Sequence, residues 1–522
     1  MHTSQRLLLY WRLADFVVTL RERNRGMSLA KLTKETAVYG ISAIAGRFLY
    51  FLLTPLYTYQ LENRSDYGIV SNLFAIVALL MIAFTYRMET AYFRYATGVE
   101  QAEAEKAFQT ASISIAISSV ALGVLLWSMA GSIAQLFQYP EYVHLVKLCV
   151  LILCLDALCE IPFARLRLEG RAKLYAFIRL AVILINIGGN LFFLLLCPYL
   201  LKHQGFASVH GLLRTFYHPE QAITYIFVSN VLASAFALLL LLPVYRRMQW
   251  RFDKRLWRQM MVYAAPLILV GFSYVINETF SRQMMPFLLE GSVKARQEQL
   301  GIYGANYKLA MLLSLFTQAF RYGAEPFFFK HKNAENARQL YADVALYFTV
   351  FMALGFLGVM LYLDVFKYFI APGYWAGLGV VPILLMANLF LGLYYNLSVW
   401  YRVNDLTRWG AYISLAGAAV TMALNIWWIP LVGYYGSAWA TLICYSSMAA
   451  ACYFIGQRFF AVPYNIPRIG LYIVLALGVY ALSWYLSPVS LAWRLAFNTA
   501  LIGVFIAAVY LLEKKKLAAV LR

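Results

Sequence analysis

Residues 303–330, YGANYKLAMLLSLFTQAFRYGAEPFFFK, repeat in outline residues 67–94, YGIVSNLFAIVALLMIAFTYRMETAYFR. A shift of 236 places Tyr67-Gly68 on Tyr303-Gly304, Ala83-Phe84 on Ala319-Phe320, Tyr86 on Tyr322 and Glu89 on Glu325. Leu73, Leu79 and Phe93 recur as well, giving nine identities in 28 ungapped positions, and Arg94 meets Lys330. The shared residues include Gly, Tyr and Glu, so this is more than two apolar runs drawing on a small alphabet. Duplication of a membrane-spanning unit, charges included, is the pattern of secondary transporters.

Of 522 residues, 62% are hydrophobic and only 13% are charged. Mean hydropathy is +0.66. Soluble domains are about half apolar and a quarter charged, so the chain reads as an integral membrane protein. The net charge of +20 does not mark a nucleic-acid binder, because the basic residues sit in short clusters between apolar runs. Cys149, Cys154, Cys159, Cys197, Cys444 and Cys452 lie in or beside apolar runs with no metal-ligand spacing. They read as packing residues, and neither a metal nor a cofactor is expected. No GxxxxGK[ST] loop is present, so the chain is not itself an ATPase.

A hydrocarbon core about 30 Å thick takes roughly 20 apolar residues per helix. Runs of that length fall at 36–59, 66–86, 107–130, 143–163, 173–196, 221–243, 261–285, 302–326, 341–365, 378–400, 410–430, 435–456, 469–487 and 492–512. They are solidly apolar rather than alternating, which predicts helices and not barrel strands. The expected fold class is all-α, a polytopic membrane protein of about 14 transmembrane helices. With the N-terminus in the cytoplasm, 31 of the 44 Lys and Arg lie on the cytoplasmic side and seven on the other, with six inside spans. That asymmetry supports both the span number and cytoplasmic termini.

The repeat offset carries span 2 onto span 8, so the unit has six helices and its copies are parallel. The expected organisation is an N-terminal segment (1–32), a six-helix lobe (33–245), a basic linker (246–256), a second six-helix lobe (257–458), two added helices (466–512) and a basic tail (513–522). LLLYWRLADFVVTL (7–20), broken by Arg12 and Asp15, reads as an interfacial helix, or else Met27 is the start. The longest connection, 197–220, carries His203, His210 and His218 and reads as a solvated loop. Pro55, Pro162 and Pro286 are hinge candidates.

A charge at mid-bilayer costs about 2.5–3.5 kcal/mol on insertion scales, so it faces an interior or a water-filled cavity. Such residues are Arg47, Asp156, Glu160, Arg179, Glu278, Arg282, Lys308 and Arg321, with Glu89 and Glu325 near span ends. Glu278 and Arg282 are spaced to pair locally, as are Arg321 and Glu325. Asp156 and Glu160 are like-charged neighbours and need a cation or a proton. Arg47 has no acid nearby in sequence, and a guanidinium that binds phosphate bidentately suits it to a diphosphate. Arg321 falls on Thr85 in the repeat, so the cavity chemistry reads as lopsided.

The stretches GIYGANYKLAMLLSLFTQAFRYGAEPFFF, SDYGIVSNLFAIVALL, METAYFRYA and PFARLRLEGRAKLYA together resemble bacterial polysaccharide or oligosaccharide flippases. Those belong to the multidrug/oligosaccharidyl-lipid/polysaccharide exporter superfamily. The resemblance implies a non-enzymatic transporter in the bacterial inner membrane. It would move undecaprenyl-diphosphate-linked repeat units of O-antigen, capsule or exopolysaccharide by alternating access. It makes Arg47, Arg282 and Arg321 candidates for the diphosphate, and Lys308 and Arg179 join them as cavity candidates from their place inside the spans. The resemblance maps no site acid, so Asp156, Glu160, Glu278, Glu89 and Glu325 are candidates for ion coupling or gating from their positions alone. The partners implied are the lipid-linked oligosaccharide, membrane lipids and polysaccharide polymerase or assembly proteins, with no nucleic acid. A multidrug antiporter of the same fold would want an acid-dominated cavity. A polymerase or ligase would want a large outer loop and would not need the repeat.

Overall fold

The computed structural model describes residues 44–520 except 247, 331–333 and 405. The expected segment 1–32 lies outside the described residues. Among them the chain is helical throughout, with no strand. In chain order the helices are α1 (Leu53–Gln60), α2 (Arg64–Ala96), α3 (Gln101–Ser128), α4 (Pro140–Leu168), α5 (Ala172–Lys202), α6 (Pro219–Tyr245) and α7 (Lys254–Leu288). They continue as α8 (Val293–Lys330), α9 (Ala337–Leu361), α10 (Pro372–Val403), α11 (Arg408–Val432), α12 (Tyr434–Phe459), α13 (Ile466–Tyr485) and α14 (Leu491–Val520).

Twelve of these, α2–α7 and α9–α14, are long and apolar enough to cross a membrane, and each coincides with an expected run. The other two runs differ. Run 36–59 is described only from residue 44, where it is helical. Run 302–326 lies within α8, whose 38 residues span about 57 Å at 1.5 Å per residue. Its polar residues, among them Asn306, Lys308, Gln318 and Arg321, leave it short of the apolarity of the others.

Local chemistry sets the helix ends. Asp253 caps α7, its carboxylate accepting from the backbone N–H of Arg255 and of Leu256 at 2.9 Å each, so the basic linker ends where the span begins. Gly433, at φ +63°, is the whole connection between α11 and α12. Pro162 lies inside α4, and Pro286 inside α7 near its end, so neither breaks its helix.

Helices α3–α6 pack in series, α4 on α3 and α6 on α4 and α5, while α10, α11 and α12 form a second tight group with α9 beside α10. Helix α13 rests on α9, and α14 on α9 and α13. The expected loop at 197–220 is largely helical. Cys197–Lys202 prolongs α5, and a short amphipathic helix, Ala207–Phe216, buries Leu213 while leaving Leu212 and Phe216 exposed. His203 and His210 bond the backbone carbonyls of Tyr199 and Leu200.

The expected tail at 513–522 is also helical as far as Val520, because α14 continues through it. Glu513, fully buried, accepts from Arg468 at 2.8 Å and from the Tyr472 hydroxyl at 2.6 Å, which fastens α14 to α13. At the other end Arg494 bonds Asp364 at 2.6 Å, and Lys367 bonds the same carboxylate at 2.9 Å. Burial opposes ionisation of Asp364, yet the two cations hold its pKa below the usual carboxylate range. Breaking a buried pair by removing one partner costs more than replacing it with packed apolar groups. Arg468→Ala, which strands the Glu513 carboxylate, should therefore lower the melting temperature of the detergent-solubilised protein more than Glu513→Leu does. Equal shifts would contradict that account of the α13–α14 junction.

Candidate functional site

The two repeat-matched helices cross each other. A Cβ on Gly68 would overlap the Gln297 carbonyl, and one on Gly301 would overlap the Arg64 carbonyl. One on Gly304 would sit 2.9 Å from Ser71 Oγ. Only glycine lets the backbones of α2 and α8 approach this closely. Around the crossing lies a polar seam. Arg64 pairs with Glu298 at 3.1 Å and donates to Gly373 O at 3.2 Å. Asn72 Nδ2 donates to Arg282 O at 2.6 Å, and Gln283 Nε2 to Ala75 O at 2.9 Å. The Tyr139 hydroxyl reaches Asn72 Oδ1 at 3.2 Å. The bonds of Asn72, Gln283 and Tyr139 satisfy buried polar groups that would otherwise be orphaned among apolar side chains.

Past the seam the helices splay around two adjoining cavities. The first, about 340 Å³, is lined by Arg47, Arg87 and Arg321, by Glu278, and by Tyr274, Tyr307, Tyr394, Tyr395 and Tyr445 among others. The second, about 280 Å³, lies against the seam and takes in Arg282 and Lys308, with Tyr50, Tyr57 and Tyr67. Glu278 and Tyr307 line both. The local Glu278–Arg282 ion pair allowed by their spacing is absent. Arg282 instead donates to the Glu278 backbone carbonyl at 3.1 Å and stacks over Tyr307, 4.5 Å from the ring centre. Arg321 stacks over Tyr395 at 4.9 Å. Asn277 ties α7 to α11 at the cavity wall, donating to Ser414 O at 3.3 Å and accepting from Thr421 at 3.0 Å.

The remaining acids lie elsewhere. Asp156, Glu160 and Arg179 face a third cavity of about 210 Å³ within α4–α6, which meets the second at Tyr50. Arg179 stacks on Phe163 at 3.9 Å and acts electrostatically on both carboxylates. An arginine thus shares the cavity wall with both carboxylates. Glu89 pairs with Arg167. Five expected residues therefore gather at the two joined cavities (Arg47, Glu278, Arg282, Lys308 and Arg321), and four gather within the α2–α6 half (Glu89, Asp156, Glu160 and Arg179). The side chain of Glu325 lies outside the described residues.

Arg87 was missed. In the sequence it belongs to a cytoplasmic connection, but α2 does not simply end at Tyr86. Tyr86 (φ +33°) and Arg87 (φ +56°) are consecutive non-glycine residues in the left-handed region, after which the helix resumes at Met88. The break turns Arg87 into the first cavity. The signal available was the repeat itself, whose Arg321 lies only two positions from the equivalent of Arg87.

The profile of a family described as "Polysaccharide biosynthesis protein" matches residues 61–198, from α2 into α5. Among solved structures, the lipid II flippase MurJ in an inward closed conformation superposes with a TM-score of 0.70 at 12% identity, over 92% of this chain and 99% of that one. A multidrug resistance MATE transporter of the MOP superfamily, inward-facing, gives 0.59 at 13% identity, over 81% of this chain and 94% of that one. An outward-facing MATE transporter gives 0.54 at 13% identity, over 84% and 96%. The chain shares the fold of these transporters. No curated protein sequence matches it.

In this fold the α2–α8 crossing separates the cavities from one end of the molecule. Gly301→Val should force the two backbones apart and loosen the seam. A cysteine replacing buried Asn72 (Asn72→Cys) should then react several-fold faster with a membrane-impermeant maleimide than in the Gly301 background. Unchanged labelling would mean that the crossing is not what closes this end.

Proposed function

We propose that this protein is a flippase for lipid-diphosphate-linked oligosaccharides, carrying undecaprenyl-linked repeat units of a surface polysaccharide across the bacterial inner membrane. The observation that carries the reading is the charge of the two joined cavities. Their described lining holds Arg47, Arg87, Arg282, Arg321 and Lys308 against a single carboxylate, Glu278. A cationic drug would be repelled by that lining, whereas an anionic headgroup would be held. Arg47 forms no ion pair or hydrogen bond with another described residue, which leaves its guanidinium for the diphosphate. The tyrosines around it offer faces for sugar rings and hydroxyls for their polar edges.

The cycle follows from the two six-helix lobes, 33–245 and 257–458, rocking about the joined cavities. With the seam closed, cargo enters from the expected cytoplasmic side. The seam at Gly68, Gly301 and Gly304 must then part for release to the outer leaflet, while contacts at the Arg94 end take over as the closed gate. There Arg94 stacks over Tyr263 at 4.6 Å and Trp257 donates to Ser114 at 2.8 Å. We assign Asp156 and Glu160, which line the third cavity and neither of the two that would hold the cargo, to cation or proton coupling, together with Glu89 on Arg167. Polysaccharide polymerase or assembly proteins would take the product.

Removing the cavity guanidinium tests the reading. Arg47→Ala should abolish surface polysaccharide while the protein remains inserted and abundant, with lipid-linked repeat units accumulating on the cytoplasmic side. Normal surface glycan in that strain would rule out the role given to Arg47, and drug accumulation in cells lacking the protein would favour an antiporter.

A further inference from the structure

The cavity charge exceeds what a diphosphate needs. Leaving Arg321 aside, four cationic side chains, Arg47, Arg87, Arg282 and Lys308, face Glu278 among the described lining residues. That is an excess of three, whereas a diphosphate esterified at both ends carries one negative charge on each phosphate. Uncompensated charge is costly in a low-dielectric interior, so the surplus points to a further anionic group on the cargo.

The geometry singles out where that group would lie. Arg282 and Lys308 belong to the second cavity and Arg87 to the first, on the far side of Glu278 and Tyr307. Arg87 is held there by two costly features. Two successive non-glycine residues occupy left-handed backbone at Tyr86 and Arg87, and such strain costs of order 1–3 kcal/mol per residue and gathers at functional sites. On the facing helix, Gly271 lacks the side chain whose Cβ would sit 2.7 Å from Arg87 Nε and 2.8 Å from Nη2. The Nε–Nη2 edge of the guanidinium therefore lies against α7 at Gly271. The nearest acid along the chain, Glu89, is engaged by Arg167. A planar, permanently charged donor in a tyrosine-lined cavity matches a carboxylate on a sugar ring.

We propose that the cargo glycan is acidic and that Arg87 binds its carboxylate, with Gly271 and the α2 break as the positioning elements. This rests on the flippase reading above. In that arrangement the diphosphate lies where the two cavities join, between Arg47 on one side and Arg282 and Lys308 on the other, and the uronic-type sugar lies with Arg87 in the first.

The test uses the full-length protein in proteoliposomes and two polyprenyl-diphosphate disaccharides that differ only in a hexose or the corresponding hexuronic acid. The wild type should flip the acidic conjugate about tenfold faster, the worth of one charge-assisted hydrogen bond. Arg87→Asn keeps a residue that tolerates the left-handed conformation and removes the charge, and Gly271→Val displaces the guanidinium from the opposite helix. Both should bring the ratio of the two rates toward one. Equal wild-type rates for the two conjugates would overturn the acidic-cargo proposal and leave the flippase reading standing. A preference that survives both substitutions would overturn the assignment to Arg87. Failure of the folded protein to move either conjugate would overturn the flippase reading and this inference with it.

Discussion

Backbone-to-backbone contact between α2 and α8 is the constraint from which the rest of the architecture follows. Where Gly68 and Gly301 let carbonyl oxygens of one helix touch the Cα of the other, neither helix can slide or rotate without a clash. In a bilayer, helices gain little by hiding apolar surface from lipid, and close packing with interhelical hydrogen bonds takes over as the attractive force. The crossing supplies the packing, and Asn72, Gln283 and Arg64 supply the bonds. Helices that meet this tightly near one end diverge toward the other, since each runs unbroken for 22 residues or more and cavities open between them. The divergence is the cavity. One small-residue contact therefore fixes both the closed end and the space beside it.

The same economy governs the charges. Each intramembrane cation is either neutralised, stacked on an aromatic face or left at a cavity wall. Arg179 takes the first two routes, with Asp156 and Glu160 nearby and Phe163 beneath it. Arg282 and Arg321 lie on tyrosines, where the ring quadrupole replaces part of the lost hydration at about 0.5–2 kcal/mol each. Arg47 and Arg87 line the first cavity. Structural cations are thus separated in space from those that can meet a ligand, with the former inside the α2–α6 half and the latter where the halves join.

Much of this was legible in the sequence because hydropathy and charge are one-dimensional signals. Twelve apolar runs became twelve helices, and the repeat matched the two helices that cross, with Gly68 and Gly304 among its identities. Contacts between distant segments left no such trace. Gly301 and Gln297 matter only because Arg64 and Gly68 lie against them, 229 or more residues away. Glu513 reads as part of a basic tail until its partners Arg468 and Tyr472 are seen on α13. Arg87 was hidden for a different reason: a hydropathy window ends a helix at the first cluster of charges. It has no way to register a local backbone break that sends one of those charges inward.

That break also answers why a duplicated fold carries an unequal repeat. In α8 the helix runs unbroken past Arg321, whereas in α2 two left-handed residues intervene before the equivalent region resumes at Met88. Both halves still deliver an arginine to the first cavity, Arg321 from one and Arg87 from the other, two positions out of register. Strict symmetry would place the two guanidinium groups as equivalents about the pseudo-axis, which suits a symmetric ligand. The lipid-linked glycan proposed as cargo has a charged headgroup at one end and sugars at the other, so a cavity that holds it would gain from unequal sides. The strain at Tyr86 and Arg87 is then the cost of breaking the repeat locally, while Gly68 and Gly304, a matched pair, keep it at the crossing.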